Sequence, residues 1–154
     1  MGRLNASLPI IAGKSLGGLS IGAIIDEEIR GYKYGDDYTV TEFVNDVDVQ
    51  FDYSFFDGVI SATTTAKHKI SALFCKVPYS GTYLNKLRPG IAVGDFLLDY
   101  PKHLYIHGTI MVNGEYGAGY IVPDGYEDHD YLTQFDKDFV LEEMFVMSRE
   151  WIGF

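Results

Sequence analysis

Between Asp46 and Tyr53 the chain alternates without a break: Val47, Val49, Phe51 and Tyr53 are separated by Asp48, Gln50 and Asp52. A β-strand turns successive side chains to opposite faces, so a two-residue period marks a strand with one wet and one dry face. Asp57-Gly58 follows, a dipeptide suited to the positive φ of a tight hairpin turn. Residues 59–65, rich in Val, Ile and Thr, are expected to return antiparallel, and residues 68–76 to add another strand. The stretch 38–75 therefore reads as a meander, with the loop 78–81 after it.

The rest of the chain is punctuated by glycine. Four glycines within residues 8–22 argue against a long helix there, since Gly costs about 1 kcal/mol against Ala in a helix interior. Two short extended pieces fit better. Residues 23–30 read as a short helix, with Ile25 and Ile29 on one face, acids toward its front and Gly31 as a stop. A second helical turn is expected over 95–99, ended by Tyr100-Pro101. Strands are expected at 103–112 and 117–122, joined by Asn113-Gly114. Residues 123–138 read as an acidic irregular segment, and 139–147 as a last strand or a helical turn. Leu19-Ser20-Ile21-Gly22 before the first helix echoes Ile91-Ala92-Val93-Gly94 before the second. The expected fold is α+β: one domain over residues 1–154, a mostly antiparallel twisted sheet, two short helices, and two halves of similar construction.

Charge bounds the partners. Twelve Lys+Arg against 22 Asp+Glu give a formal net charge of −10. A phosphate backbone or an anionic membrane is repelled by such a chain, whereas a basic protein is attracted to it. Cys75 is the single cysteine, so no internal disulfide forms. The first residues carry no signal-peptide pattern, and Ala6 stands where a myristoylation motif needs Ser or Thr. A cytoplasmic protein is the expectation.

Catalytic and metal-binding patterns are weak. Gly13-Lys14-Ser15 lacks the glycine five positions earlier that a phosphate loop requires; Leu8 stands there. His103 and His107 would lie about 13 Å apart on one continuous strand, too far to share a metal ion. His68 stands alone, and Asp128-His129-Asp130 reads as a solvated group. No serine sits in a nucleophile elbow. Neither a cofactor nor a catalytic residue is expected.

The surface pattern is stronger. Residues 36–57 carry seven acids (Asp36, Asp37, Glu42, Asp46, Asp48, Asp52 and Asp57) and no Lys or Arg. Residues 115–154 carry ten acids against Lys137 and Arg149. Tyrosines interleave with both, and Tyr combines contact area with a polar tip. The expected partner-binding residues are Tyr116, Tyr120, Tyr126, Glu127, Asp128, Asp130 and Tyr131. Asp46, Asp48 and Asp52 form a competing acidic face. Tyr126 to Tyr131 is expected to be an exposed loop.

Two segments also resemble a known group. Gly13-Lys14-Ser15-Leu16-Gly17-Gly18-Leu19-Ser20-Ile21-Gly22, running into a short acidic helix, resembles the opening of small bacterial immunity proteins associated with polymorphic toxin loci. Gly94-Asp95-Phe96-Leu97-Leu98-Asp99-Tyr100-Pro101 resembles a later segment of the same proteins. Together the segments cover about 18 of the 154 residues, and they are glycines and packing positions. The chain departs from the pattern at Ala23-Ile24, where a Met-Ser or similar helix start is usual. The resemblance implies a fold relation and a protein that binds and neutralises one cognate, basic toxin by occlusion, without catalysis. A small-ligand-binding module or small enzyme, and a structural subunit of a phage or secretion assembly, are the alternatives.

Overall fold

A computed structural model describes residues 4–106, 108–126 and 128–148. The meander forms as the alternation requires. Strands β3 (Tyr38–Val44), β4 (Val49–Phe55), β5 (Ile60–Thr64) and β6 (Ile70–Lys76) follow two short ones, β1 (Ser15–Leu16) and β2 (Leu19–Ser20). Helix α1 covers Ile25–Glu28 only. The second half contains β7 (Ile91–Ala92), α2 (Val93–Asp99), β8 (His103–Ile106), β9 (Thr109–Val112), β10 (Glu115–Ile121), a 3₁₀ turn (Leu132–Gln134), β11 (Val140–Leu141) and β12 (Glu143–Met147). One eight-stranded antiparallel sheet results, in the order β3-β4-β5-β6-β12-β10-β9-β8. The fold is α+β, mostly sheet with two short helices.

Two expectations change, and one open alternative is decided. Val47 is not a strand residue: the Asn45 side-chain oxygen accepts the backbone N–H of Val47 (2.9 Å) and of Asp48 (2.7 Å), which turns the chain into the β3–β4 tip. Val47 is left 94% exposed there. Residues 103–112 are not one strand, because the chain reverses at Gly108 and pairs Ile106 with Thr109. The continuous strand that would have aligned His103 with His107 therefore does not exist, and His107 itself lies outside the described residues. Residues 139–147 form strands, β11 and β12, and not a helical turn.

The two halves repeat. In each, a short helix is followed by four antiparallel strands of the large sheet that run from its edge to its centre, where β6 and β12 pair; β11 of the second half pairs with β7 instead. The helix entries match in detail. Gly22 (φ 87°) donates its N–H to the Ile70 carbonyl at 2.8 Å, and Gly90 (φ 101°) donates to Leu141 at 2.7 Å. Three residues on, Ile25 N–H bonds to the His68 carbonyl at 2.9 Å and Val93 N–H to the Phe139 carbonyl at 2.8 Å. Both Ile25 and Val93 are fully buried. Earlier still, Gly13 and Asn85 occupy the same left-handed conformation (φ 68° and 61°) in matching turns. Gly22 thus corresponds to Gly90, not to Gly94 as the sequence echo suggests. Gly94 serves close packing instead, since a Cβ there would lie 3.1 Å from the Lys137 carbonyl oxygen.

The core lies on one face of the sheet, beneath the N-terminal segment, both helices and the 77–92 connection. Phe55, Ile60, Leu73, Cys75, Ile110, Ala118, Tyr120, Met144 and Val146 point into it. Buried tyrosine hydroxyls need partners in such a place. Tyr79 Oη donates to the Leu8 carbonyl at 2.7 Å and accepts the Gly17 N–H at 2.9 Å, tying the N-terminal segment down. Tyr120 Oη donates to the Arg88 carbonyl at 2.8 Å. Burial raises the pKa of both phenols, that of Tyr79 to about 12. Tyr120 is therefore a core residue, and its expected role as a surface contact is corrected: it lies two residues from Ala118, on the same buried face of a central strand.

Candidate functional site

The antiparallel registers decide which side chains share an end of the sheet. Tyr38 faces Phe55, Phe55 faces Ile60, Ile60 faces Cys75, Lys76 faces Glu143, Glu143 faces Ile121, Ile121 faces Thr109, and Thr109 faces Ile106. All these residues lie along one end. With strands about 4.8 Å apart, that end is about 30 Å wide.

Four adjoining clefts line it. The first, about 250 Å³, lies between Asp36, Asp37, Phe56 and Asp57 at the β3–β4 side. The next, about 340 Å³, runs onto the sheet face away from the helices, over Thr41, Asp52, Ser54, Thr63 and Phe74, and shares Ser54 with the first. The third, about 370 Å³, shares Lys76 and Glu143 with the second and is walled by Ile121, Pro123, Tyr126, Phe139 and Glu142. The fourth, about 480 Å³, shares Ile121, Pro123 and Tyr126 with the third and ends at Tyr105, Gly108, Asp124 and His129. Their walls carry seven carboxylates and, among the described residues, one lysine, Lys76.

Electrostatics along this row is uncompensated. Glu143 is partly buried, and that burial raises its pKa while Lys76, its cross-strand neighbour, pulls the other way. A carboxyl whose folded pKa is above its unfolded one binds protons more readily when folded. Its ionised form therefore costs stability once the pH passes the ordinary carboxylate range, and the cost vanishes below that range. Glu143→Gln is accordingly expected to raise the thermal midpoint at pH 7 by one or two degrees and to leave it unchanged near pH 3. Melting curves at the two pH values check this.

The acidic segment after β10 is not a solvated loop. Tyr126 packs against Phe135 (ring centroids 5.1 Å apart), Phe139 (5.0 Å) and His129 (5.4 Å), and Phe135 also meets Tyr105. The Gln134 side-chain oxygen accepts the N–H groups of Asp130 (2.6 Å) and Tyr131 (2.8 Å), which fixes the 3₁₀ turn. The aromatic cluster holds the acids outward. Asp128 is exposed and hydrogen-bonded to His129 Nδ1 at 2.9 Å, a contact that lowers its pKa. Asp130 and Tyr131 are exposed.

The expected contact residues are thus divided. Tyr126, Asp128, Asp130 and Tyr131 belong to the cleft end, and Glu127 lies outside the described residues. Asp52 lines the second cleft and accepts a hydrogen bond from Thr63 Oγ1 at 2.8 Å. Asp46 and Asp48 are exposed on the β3–β4 tip, at the opposite end, and Tyr116, partly buried near Asn113, lies at that end too. Asp36, Asp37, Asp57, Asp124, Glu142 and Glu143 are not among the contact residues expected from the sequence. The signal that could have found them is the Asp57-Gly58 turn: once the meander is accepted, that turn shares an end with the start of β3 and the start of β12.

Among the described residues no group of three or more His, Cys, Asp or Glu is placed to hold a metal ion. No helix of the described residues is long and apolar enough to cross a membrane. No protein-family model, no curated protein and no solved structure matches this chain.

Proposed function

We propose that this protein binds a basic protein along its acidic end, and that it acts as an immunity protein that neutralises a cognate bacterial toxin by occlusion. The row of adjoining clefts carries the reading: seven carboxylates and several aromatic rings face one lysine across about 30 Å. A patch of that width matches one side of a standard protein–protein interface, about 800 Å² per partner. Uncompensated carboxylates speed the approach of a basic surface, and rings such as Tyr126 and Tyr131 supply contact area once it docks. The resemblance of residues 13–22 and 94–101 to immunity proteins supports the same reading.

The test is coexpression with the product of the adjacent gene, which this reading expects to be a basic toxin domain. The expected result is co-purification at low salt, with affinity falling as ionic strength rises, and protection of cells from the toxin. A neighbouring domain that fails to bind, or binding that does not respond to salt, contradicts the reading.

A further inference from the structure

Strand β3 is an outer strand of the sheet, and from Val40 to Val44 no described residue pairs with its outer edge. Sheet edges are ordinarily protected by lysines, prolines, bulges or short length. The other edge strand, β8, has four residues and follows Lys102. β3 has seven residues, Tyr38–Val44, contains no Lys, Arg or Pro, and pairs with β4 in unbroken register. Toward its far end the hairpin outruns β5, which pairs with β4 only as far as Phe51. Phe43 (50% exposed) and Val44 (67%) stand open on that projecting arm.

The hydrogen-bond parity of the edge is fixed. Asn45 N–H bonds to the Asp48 carbonyl at 3.0 Å, inside the hairpin, while the Tyr38 carbonyl is used outward, by Gly35 N–H at 2.7 Å. Bonding residues alternate along an antiparallel pair. Thr39, Thr41 and Phe43 therefore bond to β4, and the N–H and C=O groups of Val40, Glu42 and Val44 point away from the sheet.

We infer that β3 receives an extended, basic segment of the partner as a ninth strand. This rests on the proposed basic partner and adds how that partner is held: main-chain bonds to β3 give affinity, and the acids around it select lysine and arginine. Charge decides against a second copy of this chain. Pairing two β3 strands would set two acidic edges together, Glu42 beside its copy and Asp46 and Asp48 beside Asp36 and Asp37 of the other chain, with no Lys or Arg between Lys33 and Lys67 to offset them.

The test uses a nine-residue peptide of alternating lysine and valine at low salt, followed by amide exchange and NMR shifts. Binding is expected to protect the amides of Val40, Glu42 and Val44 by tenfold or more. The same peptide N-methylated along one edge keeps its charge and is expected to lose that protection. Glu42→Pro removes an outward donor without touching the β4 ladder, and is expected to weaken binding at least fivefold relative to Glu42→Ala. Equal binding of the N-methylated peptide, or of Glu42→Pro and Glu42→Ala, overturns strand addition. Shifts at Asp57 and Glu143 without protection on β3 overturn strand addition and leave the acidic-end reading standing. No response to the lysine peptide anywhere overturns both.

Discussion

Reversing Asp36, Asp37 and Asp57 to lysine is expected to slow capture of the basic partner by about 100-fold at low salt, within the range over which electrostatic steering acts. The three carboxylates line the first cleft and are open to solvent or nearly so. They make no ion pair among the described residues, and the one hydrogen bond lost is the 2.6 Å bond from the Lys33 N–H to Asp37 Oδ2 in an exposed turn. The fold should therefore survive, and the loss should appear in the association rate more than in dissociation. Reversing Asp46 and Asp48 changes four charge units instead of six but does so at the opposite end of the sheet. These acids flank only the far end of β3, outside the row of clefts, so association is expected to slow less, by about tenfold. Stopped-flow or biosensor kinetics at two salt concentrations separate the two outcomes, and the gap between the variants should close at high salt.

A large effect on folding is expected at Gly119, in the middle of β10. A Cβ there would fall on the Ile110 carbonyl oxygen and 3.1 Å from Met111 Cγ. The obstacle is backbone of the paired strand β9, which cannot move aside without breaking the ladder. Gly119→Ala is expected to cost about 3 kcal/mol or more, as overpacking at a rigid site does. For a domain of this size that is a fall of about 10 °C in the melting temperature. Gly35→Ala is the contrast: nothing lies within 4 Å of its Cβ, although its φ of 88° disfavours a side chain. Its cost should stay near 1 kcal/mol. Thermal unfolding followed by circular dichroism measures both. A Gly119→Ala protein that melts within 2 °C of wild type would show that β9 and β10 are not packed as described.

The meander and its turns were legible because they are local. Phe51, Tyr53 and Phe55 mark the dry face of β4 by period alone, and Asp57-Gly58 and Asn113-Gly114 mark turns by their chemistry. What failed was also local, where a side chain competed with the period. Asn45 captures the next two N–H groups and takes Val47 out of the strand, and Gly108 breaks a run that reads as continuous. The site was less legible. Tyr126 reads as exposed because Phe135 and Phe139, which cover it, arrive nine and thirteen residues later and carry no pattern that points back. Tyr120 reads as an acidic-segment tyrosine, although its even spacing from Ala118 already placed both on one face. Asp36, Asp57, Glu143 and Asp124 are distant in sequence and reach one end of the sheet only through five successive strand registers. The repeat was visible but shifted, since Gly22 and Gly94 look alike while the structure matches Gly22 to Gly90.

The central claim is that the acidic end is where a basic protein docks, and hydrogen exchange of the complex tests it most directly. Mass-spectrometric exchange of the chain, free and bound to the basic protein that co-purifies with it, is expected to show new protection in peptides covering 34–44, 54–60, 121–132 and 140–144. Peptides covering 64–70 and 111–116, at the opposite end, should exchange as in the free protein. Protection confined to that opposite end would contradict the account.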